Sequence, residues 1–115
     1  MRKSISFVLV GALALAGASL YGQGKMAPKG GDAAKGKGVF DQNCAVCHNS
    51  DSTDVKMGPG LKGLYKNGHK LTSGTPATDA SVRAKIDAGG NGMPSYKDIL
   101  SDTEKNDVMA YLKTL

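Results

Sequence analysis

The chain has 115 residues, enough for one small domain, and carries 15 Lys and Arg against 10 Asp and Glu, a net charge of +5. This mild basic excess forms no clustered stripe with interleaved aromatic residues, so we expect no nucleic-acid partner. With no Trp, two Phe, four Tyr and 16 Gly, the chain has little apolar volume for a core. A bound cofactor would fill such an interior and tie distant segments together.

The first residues predict a secretory signal peptide. Arg2 and Lys3 form a positive n-region, and a long uncharged run of apolar and small residues follows. This run is shorter than the ~20 residues that span a bilayer, and small residues at Ala16 and Ala18 offer an A-x-A-like cleavage site. We expect cleavage after Ala18, which would leave an exported, soluble protein with no membrane insertion. Cleavage after Ala16 or nearer Gly22, or an uncleaved anchor, are the alternatives.

We divide the chain into a signal peptide over 1–18, a flexible tail over 19–31 and one folded domain over 32–115. The tail contains Gly, Lys and Gln without hydrophobic periodicity. No stretch of the domain alternates apolar and polar residues as a half-buried strand does. The domain is therefore predicted to be all-α, with long Gly- and Pro-rich loops.

The first predicted helix runs from an N-cap at Asp32 to about Asn43. It contains two interior glycines, and each costs a helix about 1 kcal/mol relative to alanine. Such glycines need a structural reason. We expect another helix to cross closely at Gly36, with Phe40 packed beside the crossing one turn further along.

The first helix leads into Cys44-Ala45-Val46-Cys47-His48, which contains both cysteines of the chain. Four uses fit these residues: a disulfide, part of a zinc site, a thiol redox pair, or covalent haem attachment through C-x-x-C-H. A disulfide would close a very small loop and stabilise little. A zinc site needs four protein ligands, so it would require His69 and the adjacent pair Cys47 and His48. A redox pair normally follows a strand, and no strand is predicted here.

Haem attachment has a geometric reason. On a helical turn Cys44, Cys47 and His48 share one face, at positions i, i+3 and i+4. Two thiols can then bond to the two vinyl groups of a haem while the imidazole reaches the iron from the same side. The pattern therefore favours haem over the redox pair, the zinc site and the disulfide, which remain open at this point.

Three more elements are predicted toward the C-terminus. A short helical turn covers 61–67, and a longer helix covers 78–88, capped by Thr78 or Asp79, with Val82 and Ile86 at i and i+4. The last helix begins at the capping box Ser101-Asp102-Thr103-Glu104. Its apolar stripe, suited to packing on the first helix, consists of Val108, Tyr111, Leu112 and Leu115.

If His48 binds a haem iron at one axial position, a second residue can fill the other. The loop between these last two helices contains Met93, which its sequence context favours for that position. Met93 lies in Gly89-Gly90-Asn91-Gly92-Met93-Pro94-Ser95-Tyr96, where glycines permit close approach to a flat ring and Pro94 stiffens the chain. A Met opposite a His gives a closed iron site that transfers electrons, whereas an open site binds small ligands or does chemistry. The weaker candidates are Met57, Met109, His69 and Met26.

Together these segments resemble the class I cytochromes c, which are small soluble electron carriers. The likeness runs from about Gly31 to Leu115. The matching segments are 32–48 for the family's N-terminal helix and attachment motif, 58–61 for its G-P-x-L segment, 92–96 for its distal G-M-P-x-[FY] motif and 108–112 for its terminal helix. The resemblance implies the cytochrome c fold, in which N- and C-terminal helices cross and short middle helices and loops surround one haem c.

The resemblance also implies a role for each matching residue. Cys44 and Cys47 would bind the haem covalently, and His48 and Met93 would be the axial ligands of its iron. Pro59 would pack against His48, and a carbonyl of this segment would accept a hydrogen bond from Nδ1 of the imidazole. The predicted haem pocket consists of Pro59, Leu61, Tyr65, Pro94 and Tyr96.

The predicted function is that of a periplasmic one-electron carrier with a covalently attached haem c and His/Met axial ligation, and not that of an enzyme. We expect a monomer that docks transiently with a redox protein donor and acceptor. One alternative is a haem c subunit or docking module of a larger oxidoreductase complex. The other is a ligand-binding or peroxidatic haem protein, if Met93 does not coordinate.

Overall fold

The computed structural model describes residues 30–66 and 68–115. The helices in this part of the chain are α1 (Ala33–Asn43), α2 (Asp79–Ala88) and α3 (Asp102–Leu112). The rest of the described chain consists of turns and loops with two isolated β-bridges, Lys70 to Pro76 and Gly90 to Met93. The predicted all-α class is therefore confirmed.

The predicted signal peptide over 1–18 and the predicted tail up to position 29 lie outside the described residues, as does the candidate ligand Met26. Gly31, assigned to that tail, already packs against α3, because a Cβ at this position would lie 2.1 Å from the carbonyl oxygen of Asn106. Contact with α3 thus begins just before the predicted domain boundary. None of the helices within the described ranges combines the length and apolarity that crossing a bilayer requires.

Each helix has its N-cap at a residue that the sequence predicts, and at α2 the cap is Thr78 rather than Asp79. The Asp32 carboxylate caps α1 by accepting hydrogen bonds from two backbone amides of the first turn. Thr78 caps α2 in a reciprocal capping box with Ser81, and Ser101 caps α3 in the expected box with Glu104. These caps satisfy amides that have no acceptor inside their own helix, so the helix starts are set locally.

The predicted helical turn over 61–67 is wrong in its detail. The described part of this segment forms tight turns closed by i to i+3 hydrogen bonds, from Leu64 N to Leu61 O at 3.0 Å and from Lys66 N to Gly63 O at 2.9 Å. Gly63 adopts a φ of 74°, outside the right-handed helical region. An α-helical hydrogen-bond pattern cannot continue through that residue.

The crossing of α1 and α3 is confirmed, and Gly36 makes it possible. A Cβ at Gly36 would lie 1.8 Å from the carbonyl oxygen of Asp107, so only a residue without a side chain permits this backbone approach. Phe40, at 2% exposure, packs beside the crossing. Its ring lies 5.4 Å from the Tyr111 ring, centroid to centroid, at a tilted angle.

The core lies between the three helices and the 61–65 turns. Val108 and Leu112 of the predicted stripe are buried, while Tyr111 and Leu115 pack against the core and remain partly exposed. The other buried apolar residues are Phe40, Leu64, Val82, Ile86, Leu100 and Met109. Met109, a weaker candidate for the axial ligand, is thus a core residue of α3.

An ion pair between a buried lysine and a partly exposed aspartate joins α2 to α3. The Lys105 ammonium, in a residue with 3% exposure, lies 2.8 Å from Asp87 and donates to the Lys97 carbonyl at 2.9 Å. Arg83 links Asp87 on its own helix to Asp102 on α3. Because the Met93 loop leaves the end of α2, this network holds the base of that loop against α3.

Candidate haem site

The cysteine segment continues α1 as a helical turn. The amides of Cys47 and His48 both bond to the Cys44 carbonyl, at 3.0 and 2.9 Å, and the Cys44 amide bonds to the Phe40 carbonyl at 2.8 Å. Both cysteines are free thiols, and both line one cavity together with His48. The turn therefore presents the three side chains to a common space, as the i, i+3, i+4 spacing predicts.

The His48 imidazole is held in one tautomer. Its Nδ1 lies 2.8 Å from the Pro59 carbonyl oxygen, and since a carbonyl only accepts, Nδ1 carries the proton. In the neutral ring Nε2 then carries no proton, so its lone pair can bind a metal. This is the hydrogen bond that the G-P-x-L resemblance implies.

Gly58 packs directly on the His48 ring. A Cβ at position 58 would lie 2.5 Å from Cε1 of the imidazole, so any side chain there would push the ring away. The Gly58 amide also bonds to the Cys47 carbonyl at 2.8 Å. The 56–60 segment thus holds the His48 ring in place by the contact with Gly58, the hydrogen bond to the Pro59 carbonyl and the adjacent bond to Cys47.

The cavity has a volume of about 530 Å³, within the range of about 300–1,000 Å³ typical of cofactor pockets. Its deep wall is apolar and comes from all three helices and the Leu61 turn. These apolar residues are Phe40, Leu61, Leu64, Val82, Ile86, Leu100, Val108 and Leu112. The poorly filled interior expected from the composition is this cavity.

The Met93 loop is a tight turn built from left-handed residues. Asn91 and Gly92 have φ of 55° and 87°, as the two central residues of a type I′ turn require. Gly90 and Met93 flank them and exchange backbone hydrogen bonds of 2.9 and 3.2 Å. At Gly89, φ 65°, a Cβ would collide with the Met93 carbonyl oxygen at 2.4 Å. This local geometry places Met93 in the cavity wall.

A family of known proteins matches this arrangement over nearly the whole described chain. The family model described as cytochrome C oxidase, cbb3-type, subunit III, covers residues 31–112. The chain belongs to this family of class I cytochromes c.

Several characterised cytochromes are similar to the chain. A cytochrome c6 of Leptolyngbya boryana is 37% identical over 81 residues, which cover 70% of this chain and 89% of that protein. A cytochrome c6 of Synechocystis is 35% identical over 83 residues, covering 70% of this chain but 63% of that protein's length. The crystal structure of cytochrome c6 from the diatom Phaeodactylum tricornutum has a TM-score of 0.56 at 31% identity, covering 73% of this chain and 93% of that one.

As a class I cytochrome c, the protein carries one covalently bound haem c and takes part in electron transport; it is not an enzyme. The described residues fit that cofactor. Two free thiols a helical turn apart, an imidazole with a free Nε2 and an apolar cavity meet in one place. Burial, together with the neighbouring Cys47, raises the pKa of the Cys44 thiol to about 11, which favours the protonated thiol at neutral pH.

Most predicted pocket residues of this cytochrome line the cavity, and one does not. Pro59, Leu61, Pro94 and Tyr96 contribute to its wall. Tyr65 is not among the residues of the cavity wall; it packs against the core, with the Lys113 ammonium 5.7 Å from its ring centroid.

Two of the weaker ligand candidates also reach the cavity, Met57 and His69, whereas Met109 does not. Met57 is 72% exposed, and its segment is hydrogen-bonded to the cysteine turn through Gly58. It therefore lies on the His48 side of the cavity. His69 is partly exposed in the loop before the Lys70 to Pro76 bridge.

Lys85 is a site residue that the sequence does not reveal. Its ammonium donates to the carbonyls of Gly89 and Gly90, at 2.9 and 3.3 Å, and the residue lines the cavity. A basic residue in the last turn of a helix is expected to bond to terminal carbonyls. The sequence does not indicate that Lys85 also holds the Met93 turn, because this contact depends on how the turn folds back along α2.

Proposed function

We propose that the chain is a periplasmic one-electron carrier in which Cys44 and Cys47 bind the haem covalently and His48 and Met93 are its axial ligands. The observation that carries the proposal is the convergence of all four side chains on a single apolar cavity. The hydrogen bond from His48 to the Pro59 carbonyl supports it further, because it leaves Nε2 free to bind iron.

When bound, haem c supplies a one-electron couple between ferrous and ferric iron. The residues of the chain hold that couple in fixed surroundings. The Pro59 carbonyl fixes the His48 ring, and the left-handed turn with its Lys85 contacts fixes Met93. The apolar wall excludes water. Since none of these groups needs to rearrange when charge changes, the site suits electron transfer rather than bond making.

Met93 is preferred over Met57 because of the wall on which each lies. Met57 belongs to the segment bonded to Cys47, beside the proximal imidazole. Met93 belongs to a loop anchored on α2 through Lys85 and through the bond from the Tyr96 amide to the Ile86 carbonyl, 3.0 Å long. Axial ligands would approach the iron from opposite sides, and the separate anchoring of the Met93 loop on α2 supports Met93 over Met57 in this role.

The visible spectrum of the ferric protein tests the ligand set. Met93→Ala is expected to lose the sulfur-to-iron charge-transfer band, and the matched variant Met57→Ala is expected to keep it. If Met57→Ala loses the band instead, the assignment of the sixth ligand is wrong. Full binding of carbon monoxide by the unmodified ferrous protein would show an open iron, which contradicts a closed carrier.

Export and domain organisation form the second part of the proposal. A signal peptide over 1–18 would direct the chain to the periplasm, where the tail over 19–31 and the domain over 32–115 would remain. Mass spectrometry of the intact exported protein tests this directly. The expected mass is that of residues 19–115 plus one haem, and a mass without haem would contradict covalent attachment.

The carrier would act as a monomer that docks transiently with its redox partners. Exposed apolar side chains lie on the cysteine turn and on the segment beside it, Val46 at 68% and Met57 at 72% exposure. Exposed lysines of the surrounding loops are Lys56, Lys62, Lys70 and Lys97. A small apolar contact inside a basic rim favours brief encounters with an acidic partner. Association rates that fall as ionic strength rises would support this.

A second candidate is a haem c subunit or docking module of a larger oxidoreductase. The description of the matching family, a subunit of cytochrome oxidase, favours it. The same site would serve this function. Purification from native membranes and periplasm separates the two: a stable co-purifying oxidoreductase supports the subunit, and a free monomer in the periplasmic fraction supports the carrier.

A further inference from the structure

The Met93 loop and the cysteine turn form two walls of the cavity that are far apart in sequence. Apart from the bonds within the turn itself and those to the following 97–100 segment, all but one of the loop's hydrogen bonds within the described chain go to α2. Lys85 holds Gly89 and Gly90, the Tyr96 amide bonds to Ile86 O, and the Ser95 hydroxyl bonds to Asp87 O at 2.5 Å. These bonds let the loop and α2 move together, but they do not fix either to the other wall.

One hydrogen bond crosses between the walls. The Tyr96 hydroxyl donates to the Asn43 carbonyl at 2.7 Å, across 53 positions of the chain and in a partly buried setting. Asn43 is the last residue of α1 and directly precedes Cys44. Among residues 30–66 and 68–115, this is the only hydrogen bond that joins the 89–96 loop to the 43–61 segment.

We infer that Tyr96 is a positioning residue whose hydroxyl latches the Met93 loop to the cysteine turn and so keeps the sixth ligand on the iron. This inference rests on the proposed ligation by Met93. Tyr96 itself need not touch the iron. It acts through its hydrogen bond to the Asn43 carbonyl. This bond joins the Met93 loop to the C-terminal end of α1, where the cysteine turn begins.

The latch predicts a specific kinetic effect. An iron that already holds two axial ligands must release one before an added ligand such as imidazole can bind. Opening of the Met93 loop would therefore limit the rate of imidazole binding. Tyr96→Phe removes the hydroxyl and keeps the ring in the cavity wall. Loss of one hydrogen bond is expected to speed imidazole binding to the ferric protein about two- to tenfold.

The experiment measures imidazole binding rates by stopped flow on ferric wild type, Tyr96→Phe and the control Tyr111→Phe. Tyr111→Phe removes a hydroxyl from a ring that packs on Phe40 at the α1–α3 crossing, outside the cavity lining. The charge-transfer band is recorded for each protein before mixing, and urea unfolding of each gives its stability. The latch requires that all three show the band and that Tyr96→Phe alone binds imidazole faster.

Equal rates in the three proteins, with the band present, would overturn the latch and leave the ligation by Met93 intact. A rate increase in both variants that follows their loss of stability would also overturn it, because the effect would then be global. Absence of the band from the wild type would overturn the proposed ligation, and the latch with it.

Discussion

The backbone amide of Asp32 donates a hydrogen bond of 2.7 Å to Oδ1 of Asp107, which joins the start of α1 to the middle of α3 across 75 positions of the chain. Asp107 is 4% exposed. The same Asp32 caps α1 with its own carboxylate, so one residue both begins the helix and docks it. Together with the backbone approach at Gly36, this contact sets the helix crossing that encloses the cavity.

Replacing Asp107 with Ala should destabilise the fold. The partly buried Asp32 amide would lose a charged acceptor, at an expected cost of about 1.5–3 kcal/mol in the free energy of unfolding. Urea unfolding measures the loss. Asp41→Ala is the control, because Asp41 makes an exposed ion pair with Lys37 on the surface of α1 and should leave stability close to that of the wild type. Equal losses in the two variants would contradict the docking contact.

The two glycines of α1 should respond in opposite ways to alanine. Gly36→Ala places a methyl group against the Asp107 carbonyl, and we expect the free energy of unfolding to fall by about 3 kcal/mol. A Cβ at Gly38 meets nothing within 4 Å, so Gly38→Ala should raise it by about 0.5–1 kcal/mol through helix propensity. Thermal or urea unfolding of the two variants measures both changes. A Gly36→Ala variant more stable than the wild type would refute the close crossing of α1 and α3.

Gly58→Ala should change the electronic properties of the site. The added methyl would displace the His48 ring and weaken its hydrogen bond to the Pro59 carbonyl. That bond makes the imidazole a stronger donor, which favours the ferric state, so its loss should raise the reduction potential. Redox titration of the purified haem protein is the measurement, with Gly38→Ala as the reference. An unchanged or lowered potential would argue against this role of the bond.

The contribution of Asp87 to the stability of the fold should depend on pH. Its hydrogen bond to the buried Lys105 lowers the pKa of the carboxyl from the ordinary 3.8. A carboxyl with a lowered native pKa stabilises the fold above the unfolded-state pKa, and this contribution is lost as pH falls through the native value. Asp87→Asn should therefore have a lower Tm than the wild type at neutral pH, and the two should converge well below pH 3.8. A Tm difference that persists in acid would contradict this assignment.

Features that depend on short-range contacts were predictable from the sequence. The N-caps of α1, α2 and α3 follow from a side chain and the amides two or three residues later. The 61–67 segment was not predictable in detail, because its apolar content fits a helix while Gly63 adopts a left-handed conformation.

By itself the sequence determined the attachment motif, the helix caps, the need for a glycine at position 36 and the presence of a methionine in a glycine-rich loop. Each is a matter of residue type and spacing within a few positions. Only the tertiary structure decided the tautomer of His48, through the Pro59 carbonyl, and the anchoring of the Met57 and Met93 segments on different elements. It also decided the bond between Tyr96 and Asn43. These relationships join residues that are 11 to 53 positions apart, and local spacing carries no information about which distant carbonyl a side chain will meet.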